Sequence, residues 1–250
     1  MKPIEHELKN TIVSTISMCT KRCWHCPYGT DCPPLPQVMP EKFVVKLIDE
    51  LSDVSYSGRL TFYGINEPLL DPRIEDFVAY ARKKMPDIRM TLTSNGDLAT
   101  VATIGRLFKA GINKINLTLH YEKDRPHIMQ LKESYPRGVV VTDHSKPETT
   151  AHFHNVGGGI KSNAVLQGTF SKGCAMPFRQ MVLYPDCSLG LCCEGYSDKL
   201  RVAVSDEQKI LDVYYKSELL SSYRKMLLSG ERNIPPCSEC SYSGEYNLPE

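Results

Sequence analysis

Three cysteines near the start of the chain, in Cys19-Thr20-Lys21-Arg22-Cys23-Trp24-His25-Cys26, stand at C-x3-C-x2-C spacing. Thiolates this close in sequence converge on one metal centre. A four-iron cluster usually takes four cysteine ligands, so three leave one iron without a local protein ligand. That iron is open to a small molecule that binds through an amine and a carboxylate. The competing chemistry is zinc, held here or shared with Cys237 and Cys240.

A second group lies far downstream. Cys174, the pair Cys192-Cys193, and Cys237-x2-Cys240 offer four ligands with spares. An iron–sulfur cluster or a four-cysteine zinc site both fit such a set. Cys32 and Cys187 are left over as small buried or loop residues, although a free thiol near a radical can donate a hydrogen atom.

The bulk composition narrows the setting. The chain has 250 residues, 41% hydrophobic and 24% charged, with a net charge of +1. That is enough for one large or two modest domains with a core, and it favours neither nucleic acid nor a membrane surface. Met1–Lys9 has no apolar core of a secretory signal, and no apolar run reaches the roughly 18 residues a membrane span needs. A cytoplasmic protein is therefore expected, with its ten cysteines serving metal or redox chemistry and not a disulfide framework.

The elements that must position these residues alternate. Thr11–Ser17 reads as a first strand, which places the three cysteines on the loop leaving it. After the Pro-rich stretch Asp31–Pro36, Pro40–Leu51 reads as a helix with Phe43, Val44, Leu47, Ile48 and Leu51 on one face. Arg59–Tyr63 is a second strand, broken by Gly64–Pro68. Asp71 is the expected N-cap of a helix reaching about Met85. Ile88–Thr93 is a third strand, followed by Ser94-Asn95-Gly96 and a helix from about Ala99 to Ala110 that Gly111 closes. Ile112–His120 is a fourth strand, Arg125–Glu133 a helix, and Val139–Thr142 and Ala151–His154 the fifth and sixth strands. Such alternation implies a parallel sheet with right-handed crossovers, and six units suit an incomplete (β/α)6 barrel. Beyond Gly157-Gly158-Gly159 the composition shifts. Strands at Gln180–Tyr184 and Ser188–Cys192, a helix over Glu207–Leu228 and the last cysteines make a small second module. The expected domains are residues 1–169 and 170–250.

C-x3-C-x2-C after a first strand resembles the radical S-adenosylmethionine (radical SAM) superfamily. The family usually has an aromatic residue before the third cysteine; His25 stands there. The resemblance implies a [4Fe-4S] cluster on Cys19, Cys23 and Cys26 that splits S-adenosylmethionine and yields a 5′-deoxyadenosyl radical. Gly64-Ile65-Asn66-Glu67-Pro68 resembles the family's G-G-E-P segment, with Ile65 and Asn66 at its glycine positions. By that likeness Gly64, Asn66 and Glu67 lie at the methionine amine of S-adenosylmethionine. Thr93-Ser94-Asn95-Gly96 resembles the T-N-G segment, so Ser94 and Asn95 meet the ribose or carboxylate. His120, at the end of the fourth strand, is a candidate catalytic residue in the same cavity.

The downstream cysteines resemble the auxiliary-cluster module called SPASM, in its shortened twitch form. The resemblance gives Cys174, Cys192, Cys237 and Cys240 a second [4Fe-4S] cluster, with Cys193 competing for the place of Cys192. Length and spacing are most similar to twitch-bearing dehydrogenases of the 2-deoxy-scyllo-inosamine dehydrogenase type. Where those enzymes often show N-R-x-G, this chain has Asn155-Val156-Gly157-Gly158. The implied function is oxidation of an alcohol on a small sugar- or cyclitol-like substrate, with a flavodoxin-type or other one-electron reductant as partner. The alternatives are peptide modification, epimerisation or rearrangement by the same radical, and a non-catalytic zinc protein.

Overall fold

The structure is a computed structural model that describes residues 8–30, 35–146, 173–195 and 200–244. Strand and helix alternate through its first part. β1 (Asn10–Val13) leads through the single turn α1 (Pro27–Thr30) to α2 (Glu41–Asp53). β2 (Arg59–Phe62) precedes α3 (Ile74–Lys84), and β3 (Arg89–Ser94) precedes α4 (Val101–Ala110). β4 (Lys114–Leu119) precedes α5 (Arg125–Ser134), and β5 (Val139–Asp143) follows. The second part holds the turn α6 (Met176–Arg179), β6 (Gln180–Leu183), β7 (Ser188–Gly190), β8 (Arg201–Ala203), α7 (Ile210–Lys216) and α8 (Glu218–Leu228).

The strands form one sheet, ordered β5-β4-β3-β2-β1-β6-β7-β8. β1 to β5 pair in parallel in chain order, the arrangement of a partial β/α barrel. Every residue of β1 is buried, as a central parallel strand covered on both faces must be. The apolar period of α2 buries Phe43, Val44, Leu47, Ile48 and Leu51 against this sheet. Thr100 caps α4 by accepting from the Thr103 amide at 3.0 Å, and Gly111 closes it at φ 114°. No side chain fits that position easily, since a Cβ would sit 2.7 Å from Arg82 Cγ.

Four expectations change. β1 ends at Val13, and the chain beyond it pairs with a different segment, Ile16 bridging Val38 and the Met39 amide donating to the Thr15 carbonyl. Asp71 does not cap α3, whose N-cap position is Arg73. Its carboxylate instead accepts from the Arg73 amide at 3.1 Å and pairs with the Arg73 guanidinium at 2.8 Å. The helix expected over residues 207–228 is two helices, parted at Ser217. That residue takes extended backbone and caps α8 through its hydroxyl, which accepts from the Leu220 amide at 3.4 Å.

The fourth difference concerns the sheet. The strand expected to open a separate module, β6, pairs in parallel with β1, Val13 opposite Leu183. Met181, Leu183, Leu189, Ile210 and Tyr214 share the core that holds Phe43, Phe62 and Leu92. Buried Arg224 of α8 ties this layer down, donating to the carbonyls of Pro177 at 3.0 Å and Tyr214 at 2.7 Å. The sixth strand expected at Ala151–His154, with Asn155–Gly158, lies outside the described residues, as does Cys32. No helix among the described residues is long and apolar enough to cross a membrane.

Candidate active site

The carboxyl ends of a parallel sheet converge on one rim, and ligands bind there. In this chain that rim opens on a cavity of about 460 Å³. The loop after β1 brings Cys19, Cys23 and Cys26 to its wall. Gly64 and Asn66 arrive from β2, Ser94 and Asn95 from β3, and His120 from β4. A side chain at Gly64 would press on Ser14, its Cβ lying 2.8 Å from both Cβ and Oγ, so the loop passes there only as glycine.

None of the three thiols is in a disulfide, and each is pushed upward chiefly by burial, Cys23 to about 12 with Cys26 and Cys19 as its neighbours in charge. Burial of this kind keeps thiols protonated until a metal replaces the protons. Donors already point at Cys19 Sγ: the Lys21 amide at 3.4 Å and Asn95 Nδ2 at 3.6 Å. Three thiols sharing one wall, with amide donors aimed at sulfur, fit a cluster ligand set. The loop has little room to deform, since a Cβ on Gly29 would lie 2.2 Å from the Cys23 carbonyl. Lys21 clamps it to the rim between Asp97 at 2.6 Å and Asp124 at 2.8 Å, a pairing legible only once the loops are placed.

Glu67 is not on the cavity wall. It is 0% exposed, and its carboxylate is filled from within. Oε1 accepts from Ser94 Oγ at 2.7 Å and the Leu69 amide at 3.0 Å, while Oε2 accepts from the Asn95 amide at 2.7 Å. Its own amide donates to the Met18 carbonyl at 2.8 Å. Glu67 therefore braces the loops after β1, β2 and β3 against one another. The neighbouring Asn66 does face the cavity, and its buried amide finds no hydrogen-bond partner among the described residues.

Three imidazoles share the same wall. His25 and His120 stack with centroids 5.2 Å apart, and His144, missed by the sequence reading, stands 5.8 Å from His120. Burial lowers all three, His25 to about 4 and His120 to about 3, so they are neutral at physiological pH. Donor atoms of Cys23, His25 and His120 all lie within 4.8 Å of one another, a set that a single metal ion could also use.

The opposite wall comes from the second part of the chain. After β7 the backbone presents Cys192 and Cys193 to different sides. Cys192 is buried, and its electrostatic neighbours include Cys174 and Cys237. Cys174 and Cys240 likewise act on Cys237. These four free thiols gather in one place and fit a four-iron ligand set. Arg232, buried beside them, donates to the carbonyls of Gly173 at 3.1 Å and Tyr242 at 2.6 Å and lays positive charge next to the sulfurs. Cys193 lines the main cavity with Tyr63 and Glu194. Burial pushes Glu194 up to about 7, and its Oε2 has no partner among the described residues. The sequence reading passed over Glu194 and Tyr63, since nothing local marks a glutamate or a tyrosine that topology later turns inward.

The sequence pattern of the radical SAM superfamily matches residues 13–138, more than half of the chain. The S-adenosyl-L-methionine-dependent 2-deoxy-scyllo-inosamine dehydrogenase of Niallia circulans is 28% identical over 233 residues, covering 92% of this chain and 91% of that protein. The crystal structure of BtrN in complex with AdoMet and 2-DOIA superposes with a TM-score of 0.82 at 26% identity, over 94% of this chain and 93% of that one. His6-tagged anSMEcpe with bound AdoMet shares the fold, with a TM-score of 0.62 at 12% identity over 88% of this chain and 83% of that one. The chain belongs to the radical SAM superfamily, whose cofactors are a four-iron cluster and S-adenosylmethionine.

Proposed function

We propose that the protein is an oxidoreductase that removes hydrogen from a carbinol carbon of a small cyclitol- or sugar-like molecule in the 460 Å³ cavity. The observation that carries this reading is that one cavity has Cys19, Cys23 and Cys26 on one wall and Cys193-Glu194, next to the second thiol group, on the other. The likeness to a cyclitol dehydrogenase extends over nearly the whole of both chains and supports the same reading.

In this reading Cys19, Cys23 and Cys26 hold the first [4Fe-4S] cluster, and Cys174, Cys192, Cys237 and Cys240 the second. When bound, the first cluster would supply, with S-adenosylmethionine, a 5′-deoxyadenosyl radical for the substrate hydrogen, and the second would supply a one-electron acceptor. Gly64, Asn66, Ser94 and Asn95 hold the methionine and ribose end. Asn66 is suited to that work because its amide still has both a donor and an acceptor to offer. Glu67 acts at one remove, by fixing Asn95. His120, Asn116 and Thr118 face the substrate from β4, and Glu194 accepts the hydrogen bond of the reacting hydroxyl. The same cavity of about 460 Å³ must also take S-adenosylmethionine, and the space left beside it favours a compact substrate over a peptide. A flavodoxin-type or similar one-electron donor is the expected partner. The functional division is a barrel over residues 1–169 and a cluster-bearing module over residues 170–250, built on one continuous sheet.

The test uses anaerobically reconstituted protein, S-adenosylmethionine, a one-electron reductant and aminocyclitols deuterated at their carbinol carbons. Deuterium in 5′-deoxyadenosine together with a ketone product is expected. Zinc in place of iron, or 5′-deoxyadenosine without deuterium from any of the ring carbons, would overturn the proposal.

A further inference from the structure

We propose that Cys193 is a hydrogen-atom donor to the substrate carbon radical, which gives the protein a second, redox-neutral outcome beside dehydrogenation. The inference rests on the radical reading above. It starts from the different placing of two adjacent cysteines. Cys192 is buried with Cys174 and Cys237, whereas Cys193 lines the main cavity. The thiol is held there on every side. The Cys193 amide donates to Gln180 Oε1 at 2.9 Å, and the thiol donates to Glu194 Oε1 at 3.9 Å. The Tyr63 side chain hydrogen-bonds it, and it packs beside Ile12, Val182 and Tyr184.

A second observation says that a polar ligand belongs next to it. Glu194 Oε2 is buried in the same cavity without a partner among the described residues. Buried polar groups are rarely left so, and a substrate hydroxyl lying against it would satisfy it. Such a substrate lies within reach of Cys193.

The chemistry balances. The 5′-deoxyadenosyl radical breaks the substrate C–H bond and forms its own. The substrate radical then takes the hydrogen of Cys193 S–H, a weaker bond than the carbinol C–H, so a new C–H forms and a thiyl remains. One electron from the flavodoxin-class reductant and one proton from solvent restore the thiol. Return of hydrogen to the other face of the carbon inverts its configuration.

The experiment runs in D2O with unlabelled aminocyclitols, beside parallel runs with carbon-deuterated ones. In the parent protein, solvent deuterium should appear on carbon in recovered substrate, because the thiol hydrogen exchanges with water. Its yield per carbon-derived deuterium found in 5′-deoxyadenosine should fall at least tenfold in Cys193→Ser, where the O–H bond is too strong to donate. Iron content gives a readout independent of turnover. Cys192→Ala should lose about four irons per chain, and Cys193→Ser none. Three results overturn the inference: no solvent deuterium in parent substrate, an unchanged ratio in the variant, or iron loss in Cys193→Ser. Absence of substrate deuterium from 5′-deoxyadenosine in the parent overturns the radical reading itself.

Discussion

Glu67 offers the sharpest test of how this rim is built. Its carboxylate takes three protein donors at 2.7–3.0 Å and no solvent. Glu67→Gln keeps the shape but leaves one oxygen. Placed at Oε1, that oxygen still serves Ser94 and Leu69, and the new NH2 then confronts the Asn95 amide, donor against donor. The lost charge-assisted bond and the orphaned buried N–H each cost about 1–3 kcal/mol. Removing a buried charge gives part of this back, since burial is the largest influence on this carboxyl and raises it. The net loss should be about 1–3 kcal/mol, and each kcal/mol lowers Tm by about 2–4 °C in a domain of this size. Glu67→Ala, which orphans all three donors, should cost more. Thermal and urea unfolding of the cluster-free proteins measure both, with the urea slope unchanged if only stability moved. Because the Asn95 amide carries Nδ2 toward Cys19, iron uptake should fall in the same order. A Glu67→Ala protein as stable as Glu67→Gln would refute the brace.

Other outcomes follow from the same structure. Cys23→Ala should fold, by circular dichroism, yet make no 5′-deoxyadenosine, since two thiolates hold the first cluster poorly. Iron and sulfide after reconstitution should each reach about eight per chain, four per cluster; zinc in the second site would refute that count. Burial is the largest single influence on the Asp71 carboxyl and raises it, but the hydrogen bonds and charge around it, Arg73 foremost, together leave it lowered. A depressed carboxyl stabilises the fold above its unfolded value, about 3.9, and that stability disappears as pH falls through the lower folded value. Asp71→Asn should therefore be less stable at pH 7 and lose less than the parent on acidification, as urea midpoints across pH 2–7 would show. Cys237→Ala with Cys240→Ala should stop ketone formation while some 5′-deoxyadenosine persists; product at the parent rate would make the second thiol group structural.

Much of the barrel was legible because parallel strands and their helices carry local signals. The buried face of α2 follows from its apolar period, and Gly111 marks the end of α4 through a backbone that only glycine adopts without strain. The three upstream cysteines were legible as a set because they lie within one loop. What escaped the reading depends on contacts distant in sequence. β6 reads as a strand, but its pairing with β1 sits 170 residues away in register, Asn10 opposite Gln180. The Glu67 side chain could point either way from its loop, and only the amides of Leu69 and Asn95 decide it. Ser217 breaks a helix whose apolar period continues across the break.

The pairing of β1 with β6 also explains how two thiol groups come to share one cavity. Strands in a sheet lie about 4.8 Å apart, so the chain leaving β1 and the chain leaving β6 emerge side by side. The first carries Cys19, Cys23 and Cys26 at the carboxyl rim; the second turns back through the antiparallel β6–β7 hairpin, Val182 opposite Gly190, and reaches Cys192-Cys193 beside Gln180 at the start of β6, so the two thiol groups meet the cavity from different ends. The hairpin thus delivers one cysteine behind the wall and one through it. If the proposed function and the inference about Cys193 both hold, a radical formed on a substrate in this cavity would face two reductively different exits at neighbouring residues, an electron acceptor ligated by Cys192 and a hydrogen donor at Cys193. Which exit dominates is then a matter of relative rate and not of separate sites. Slowing electron acceptance with the Cys237→Ala and Cys240→Ala pair should raise solvent deuterium in recovered substrate. If that deuterium stays at the parent level while ketone is lost, the two exits do not compete for one radical.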